Sequence, residues 1–321
     1  MNLENSIEAV DLTKYYGSLL AVDHLSLNVK KGEVFGFLGP NGAGKTTTIR
    51  MLVGLTTPSE GSALVAGYDI RTNLVEVKRR VGVVPENSNL YDELSVWDNL
   101  LFSSRLYHVP RRERAERVNE LLEKFNLRER KDTKFGKLSK GLKRRVVISA
   151  ALVHRPQIVF MDEPTSGLDV VSALSLRRLI RELGEGETTV FLTTHYIEEA
   201  DQLSNRVAII VQGRVVAVDT PMNIKSSIRK APLLEVCLSR PPDESMISTL
   251  EEIGKVENKN IRLWVETSNL TTALEKISQL AKQHGIEVTD VNTVHQSLED
   301  AFVAMTGVSP ESMKIEKERR H

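Results

Sequence analysis

The stretch EVFGFLGPNGAGKTT, running from Glu33 to Thr47, decides the fold. Its first six residues, Glu33–Leu38, form a short apolar run that suits a buried strand. Residues Gly39 to Thr46 fit the pattern G-x-x-x-x-G-K-[ST], and a random match in a chain of this length has a chance on the order of 1%. From Ala43 to Leu55 the apolar spacing is helical, closed by Gly54 and then Pro58. A strand before the motif and a helix after it are the context that a phosphate-binding loop requires. The glycines let backbone N–H groups turn inward around a phosphate, and the helix N-terminus adds the positive end of its dipole. Gly39, Pro40, Asn41, Gly42, Ala43, Gly44, Lys45, Thr46 and Thr47 are therefore the candidate nucleotide-binding set. In it, Lys45 reaches the β- and γ-phosphates and the Thr46 hydroxyl ligates Mg²⁺.

A phosphate loop needs a second site to hold the metal and activate water. The run IVFMDE, Ile158 to Glu163, supplies one: an apolar strand ends in two carboxylates. Asp162 suits Mg²⁺, directly or through its neighbours, and Glu163 suits polarising an attacking water. Strand-like Gln157–Met161 and Thr188–Leu192 flank a helical stretch, Val170–Leu183, an order that predicts parallel pairing in an α/β sheet. Ile7 to about Asn28 reads as two strands around the turn at Gly17. Val96 to Leu127 reads as amphipathic helix broken at Pro110, and Leu142–Val153 as a further helix.

The chain has 321 residues, enough for about two domains. Its 40% hydrophobic content excludes wholesale disorder. Lysine plus arginine and aspartate plus glutamate both number 43. That balance removes the electrostatic footprint of a nucleic-acid binder and argues against a polybasic membrane-surface protein. The lone cysteine, Cys237, excludes an intrachain disulfide framework and a cysteine zinc site, and reads as core filler. No apolar run approaches the roughly 18 residues of a membrane span, and the N-terminus has no signal-peptide pattern, so a cytosolic setting is the default. His24, His108 and His284 show no metal-ligand spacing, and Trp97 and Trp264 read as packing residues. Composition shifts near Pro221. Beyond it the strands Leu233–Leu238, Ile261–Glu266 and Ile286–Val294 alternate with the helices Glu244–Ile253, Leu270–His284 and Leu298–Met305, a small α+β module. From Val308 the charged tail reads as frayed.

With these residues in hand, the sequence resembles the ATP-binding subunit of ABC transporters over about residues 7–221. Gly39–Thr47 corresponds to the family's Walker A loop and Ile158–Glu163 to its Walker B strand. Tyr16 matches the aromatic position that stacks on adenine. Leu138-Ser139-Lys140-Gly141-Leu142 sits at the signature motif, Ser166 to Asp169 at the D-loop, and His195 at the switch histidine. The span from Lys45 to Asp162 leaves no room for the long coiled coil of chromosome-maintenance ATPases. The resemblance implies an α/β P-loop NTPase core with an antiparallel β subdomain and an inserted helical subdomain, followed by a small α+β C-terminal domain. The boundaries are then 1–224 for the ATP-binding domain (helical subdomain about 87–155), 225–307 for the accessory domain and 308–321 for a disordered tail.

It also implies a mechanism. ATP and Mg²⁺ are the cofactors, with Thr46, Glu86 and Asp162 near the metal. Glu163, His195 and Lys45 are the catalytic set. Two subunits, a homodimer or a paired ATPase, close head to tail so that Ser139 and Gly141 of one reach the nucleotide on the other, with Asp169 alongside. Such a subunit powers a separately encoded membrane permease from the cytoplasmic face, and no nucleic-acid partner is expected. Two departures stand out. Lys140 and Leu142 replace the usual signature glycine and glutamine, and a Ser-Lys-Gly version is similar to the drug-resistance, daunorubicin-type exporter branch. Glu86 stands where a glutamine is usual. The implied groove for the permease offers Leu90, Tyr91, Leu94, Trp97 and Leu101, which packing within the helical subdomain would equally explain. The alternative function is a soluble regulatory or nucleic-acid-associated ATPase of the same superfamily.

Overall fold

Two long antiparallel strands, β1 (Asn5–Tyr16) and β2 (Leu19–Lys30), open the chain and turn through Gly17 at φ +59°. The computed structural model describes residues 4–228, 233–294 and 296–309. After β3 (Val34–Leu38), α1 (Lys45–Leu52) begins two residues later than its apolar spacing suggests, because Gly44 holds a left-handed φ of +101°. β4 (Glu60–Val65) and β5 (Tyr68–Asp69) extend the hairpin into an antiparallel sheet of order β2-β1-β4-β5. Next come α2 (Leu74–Arg80) and β6 (Val81–Val84), then three helices, α3 (Val96–Leu106), α4 (Arg114–Lys124) and α5 (Lys140–Leu152). The chain returns as β7 (Ile158–Asp162), α6 (Val170–Gly184), β8 (Thr189–Thr194), α7 (Ile197–Leu203), β9 (Arg206–Val211) and β10 (Arg214–Asp219).

The central sheet has the order β10-β9-β3-β8-β7-β6. β9, β3, β8, β7 and β6 run parallel, and β10 closes the edge antiparallel. Because side chains alternate across a strand, consecutive residues serve different cores. Phe35, Phe37, Phe160 and Phe191 face α1 and the antiparallel sheet. Val34, Val159, Met161, Val190 and Leu192 face α5, α6 and the helical insertion. Phe191 lies 5.4–5.6 Å, ring to ring, from Phe35, Phe37 and Phe160. Truncating so central a ring to alanine costs about 3–5 kcal/mol. β6 and β7 are hydrogen-bonded neighbours, so the three helices between them form a single excursion from one edge of the sheet.

The chain divides into two compact units, one over Met1–Pro221 together with the segment that begins at Met305, and one over Met222–Ala304. After α8 (Pro221–Ser226), the second unit runs β11 (Leu233–Leu238), α9 (Glu244–Glu251), β12 (Lys255–Lys259), β13 (Arg262–Glu266), α10 (Leu270–Gln283) and β14 (Val288–Val294), with α11 (Leu298–Thr306) following. Its antiparallel sheet has the order β12-β13-β11-β14, the β-α-β-β-α-β arrangement. β12 escapes a reading of the sequence because it is an edge strand whose side chains are nearly all exposed, so it has no apolar alternation. Cys237 corrects another expectation. Leu234, Val236 and Leu238 point into the core, which places Cys237 on the opposite face, half-exposed. Residues 229–232 and the expected tail from residue 310 lie outside the described residues.

Candidate nucleotide-binding and hydrolysis site

The site forms where the C-terminal ends of β3, β7 and β8 meet the start of α1. Gly39 and Gly44 shape the loop between β3 and α1. A Cβ on Gly39 would meet the Ile210 carbonyl oxygen at 2.3 Å, and one on Gly44 would meet that of Ala21 at 2.5 Å. The first N–H groups of α1 have no acceptor within the helix, which suits them to an anion. A cavity of about 630 Å³ opens beside them, lined by Tyr16, Asn41, Gly42, Gly44, Lys45, Thr46, Thr47, Glu86, Glu163 and Gln212, among others. Tyr16 is 44% exposed, leaving its ring available to a base at the cavity edge, and the Lys14 ammonium lies 5.3 Å from the ring centre.

Lys45 is buried and held by three acceptors. Its Nζ donates to the carbonyls of Gly39 (2.7 Å) and Pro40 (3.0 Å) and lies 3.4 Å from Glu163 Oε1. Burial pulls its pKa below the usual value, while Glu163, Asp162 and Glu86 oppose that pull. Asp162 accepts from two hydroxyls, Thr46 Oγ1 at Oδ2 (2.8 Å) and Thr193 Oγ1 at Oδ1 (2.6 Å). Thr193 also accepts the Glu163 N–H through its side chain (3.1 Å) and its carbonyl (3.2 Å). Glu163 itself adopts φ +46°, a left-handed conformation uncommon for a residue with a side chain. That bend brings its carboxylate between Lys45 and His195. His195 Nδ1 lies 2.8 Å from Glu163 Oε2, near enough for an ion pair but out of line for a hydrogen bond. Burial pushes the Glu163 carboxyl up, but His195 and Lys45 outweigh it and hold the group below the ordinary carboxylate range.

This geometry joins a phosphate loop, a lysine, a paired carboxylate and a histidine at one sheet edge. A family profile described as ABC transporter matches residues 22–166. The chain is 34% identical to the daunorubicin resistance ATP-binding protein DrrA2 of Streptomyces coeruleorubidus, over 97% of this chain and 98% of that protein. It is 35% identical to the bacitracin transport ATP-binding protein BcrA of Bacillus licheniformis, over 94% and 97%. The chain belongs to the ABC transporter family. Among solved structures it resembles the dimeric, post-hydrolysis ATP-binding cassette MJ0796 bound to ADP and Pi, at 27% identity and a TM-score of 0.61, over 67% of this chain and 98% of that one. It is an ATP-binding, ATP-hydrolysing subunit of an ABC transporter.

The remaining ABC motif residues lie apart from the Lys45 cavity. Ser139 is the N-cap of α5, its Oγ accepting from Leu142 N at 3.4 Å, so the helix starts at Lys140 rather than Leu142. Gly141 lies within the first turn of α5, where a Cβ would meet the Ser172 side chain at 2.7 Å. Asp169 caps α6, accepting from Ser172 N at 2.9 Å. Neither Ser139, Gly141 nor Asp169 lines the cavity that holds Lys45. Glu86 lines that cavity and also a neighbouring one with Lys140, Lys143 and Arg144. Of the groove candidates, Leu90 and Trp97 pack on the helical core, Leu94 and Leu101 are half-buried, and Tyr91 is exposed with its ring edge-on to Phe102.

Four residues at the site escape the motif reading. Thr193 joins Asp162 to Glu163, as described. Arg144 is buried and donates to the carbonyls of Pro85 (2.5 Å) and Glu86 (2.8 Å), tying α5 to the end of β6. Its signal is a basic residue on the inward face of an apolar helix. Thr165 and Glu199, both buried, are hydrogen-bonded to each other. Their signal is weaker, a carboxylate four residues after His195.

Proposed function

We propose that this ATPase subunit works as a pair that closes head to tail on ATP and powers a separate membrane permease exporting drug-like or lipid-like molecules. The observation that carries the export reading is the extent of the likeness to drug-resistance proteins. It runs through the C-terminal unit and not only through the cassette. Pairing is supported by the placement of Ser139 and Gly141 away from the chain's own phosphate loop, where a second subunit's nucleotide can take them as its missing donors. No helix among the described residues is long and apolar enough to cross a membrane, and the subunit works on the cytoplasmic face through its permease.

In this reading Tyr16 stacks on the base, while Lys45 and the backbone of the phosphate loop hold the phosphates. The oxygen donors of Thr46, Asp162 and Glu86 have the hard character that Mg²⁺ prefers. Asp162 already orients the Thr46 hydroxyl, so its part is to aim that ligand. Bound there, the metal offsets phosphate charge. Glu163 takes a proton from the attacking water, and His195 holds the Glu163 carboxylate in place. The C-terminal unit supports the nucleotide-bound pair.

The test has two parts. Glu163→Gln with ATP is expected to elute from gel filtration as a dimer, and a monomer would overturn the pairing. Tagged wild-type protein from detergent-solubilised membranes of its own host is expected to bring down a polytopic membrane protein. Salt-sensitive retention of DNA or ribosomes, with no membrane protein, would favour the regulatory ATPase instead.

A further inference from the structure

Glu199 is fully buried in the first turn of α7, four residues beyond His195. Its Oε1 accepts a 2.8 Å hydrogen bond from Thr165 Oγ1, and Thr165 is itself buried, two residues beyond Glu163. The loop between is tightly turned. Pro164 fixes one φ, Ser166 N donates to the Glu163 carbonyl (3.2 Å), Leu168 N donates to that of Thr165 (3.2 Å), and Gly167 reverses at φ +71°. Thr165 thus anchors that turn in the protein interior through a side-chain hydrogen bond. Arg177 of α6 approaches the same oxygen, its Nε 4.0 Å from Oε1. Among the described residues, neither that nitrogen nor Glu199 Oε2 has a hydrogen-bond partner. Burial pushes the Glu199 carboxyl up, as does the Glu163 charge, while the Thr194 and Thr165 hydroxyls and Arg177 pull it down, and burial wins.

The carboxyl therefore sits where three pieces meet: the loop carrying Glu163, the helix that follows His195, and α6. None of these contacts reaches the nucleotide cavity. We propose that Glu199, acting through Thr165, is a positioning residue for hydrolysis: the bond clamps the Glu163 turn to the helix that follows His195, so the base and the histidine keep a fixed separation. Cutting the clamp leaves both residues present but free to drift. A displacement of about 1 Å in a catalytic group lowers turnover by as much as roughly 100-fold without touching substrate binding.

The inference rests on Glu163 being the base, and the experiment separates the two. ATP turnover by the full-length chain is measured for Thr165→Val, Thr165→Ser, Glu199→Ala, Glu199→Gln and the Thr165→Val/Glu199→Ala pair, with Glu163→Gln alongside. Thr165→Val keeps the shape and removes only the hydroxyl, so it carries the test if Glu199→Ala fails to fold. The expected result is a fall in kcat of roughly 10-fold or more for Thr165→Val and Glu199→Ala, with KM for ATP within about twofold. Thr165→Ser and Glu199→Gln keep the bond and are expected to stay within about threefold of wild type. The double variant is expected to be no slower than the worse single one, since both cut one link. Wild-type kcat in Thr165→Val overturns the clamp. So does a parallel loss of kcat, KM and melting temperature that the conservative variants fail to rescue. Wild-type turnover in Glu163→Gln overturns the assignment of the base, whatever the Thr165 and Glu199 variants do.

Discussion

The first unit buries Lys45, Arg144, Asp162, Glu163, His195 and Glu199, each less than a tenth exposed, around one end of its parallel sheet. The second unit, among its described residues, buries a single polar side chain, Thr267. The cluster on its sheet is aliphatic: Leu234, Val236, Leu263 and Val265 on the sheet, covered by Met246 and Leu250 of α9 and by Ile277 of α10. Taking an ion out of water costs several kcal/mol even after relaxation, and a partner repays this only in part. A fold that needs no chemistry has no reason to bear that cost, and the second unit avoids it. Away from the site, the first unit's buried carboxylates lie at its margins and take a guanidinium: Asp23 meets Arg214, and Glu33 meets Arg206 at 3.3 Å. The contrast locates function by where charge is buried without such simple pairing.

The sharpest way to break this contrast is at Glu163. Replacing it with glutamine is expected to lower kcat by about two to four orders of magnitude while ATP still binds, as measured by single-turnover hydrolysis and nucleotide titration. Normal turnover would mean that the buried charges serve stability instead. The converse test is Leu250→Ala in α9. Removing this fully buried side chain is expected to cost the second unit about 2–5 kcal/mol in denaturant unfolding. ATP affinity is expected to stay within about twofold, and a larger loss would tie that core to the site.

Tyr16→Ala addresses the exposed edge of the cavity. A weakening of ATP binding by about 1–3 kcal/mol in calorimetry is expected if the ring stacks on the base, and no change would return Tyr16 to a loop residue. The last effect concerns His154, a half-buried titratable group remote from the phosphates. Its ring lies flat on Tyr107 at 3.8 Å, Nε2 meets the Val81 carbonyl oxygen at 3.0 Å, and burial pulls its pKa down to about 4. A histidine depressed in the fold binds fewer protons than in the unfolded chain. Its contribution is therefore whole above an ordinary pKa of about 6.5 and is lost as pH falls toward 4. His154→Gln is expected to flatten the loss of stability across that window by about 1–3 kcal/mol, read as the pH dependence of the wild-type-minus-variant difference in unfolding free energy. A constant difference would show that folding leaves the His154 pKa unshifted.

Legibility followed the locality of the chemistry. The phosphate loop, the Asp162–Glu163 pair and His195 each sit on a short string whose strand-to-loop context is visible in sequence. Thr193 was in plain view in the strand before His195, but its role depends on a neighbouring strand, across which its hydroxyl meets Asp162. Arg144 and Glu199 depend on packing between elements far apart in the chain, and no spacing rule reaches across 58 or 34 residues. The edge strands β5 and β12 failed for a different reason: one is two residues long and the other is exposed, so neither buries an alternating face. Cys237 shows that residue type alone does not choose a side of a strand; register does.

The adjacency of β6 and β7 has an engineering consequence. Everything between Val84 and Ile158 leaves and re-enters the sheet through neighbouring strands. That whole excursion can be exchanged for another of suitable length without reordering a single strand, provided it remains a right-handed crossover. Such a layout lets a lineage trade this helical excursion for another while inheriting the phosphate loop and the Asp162–Glu163 pair intact, with Glu86, Ser139 and Gly141 travelling in the exchanged segment. It also marks Pro85 and Gln157 as the natural seams for building chimeras.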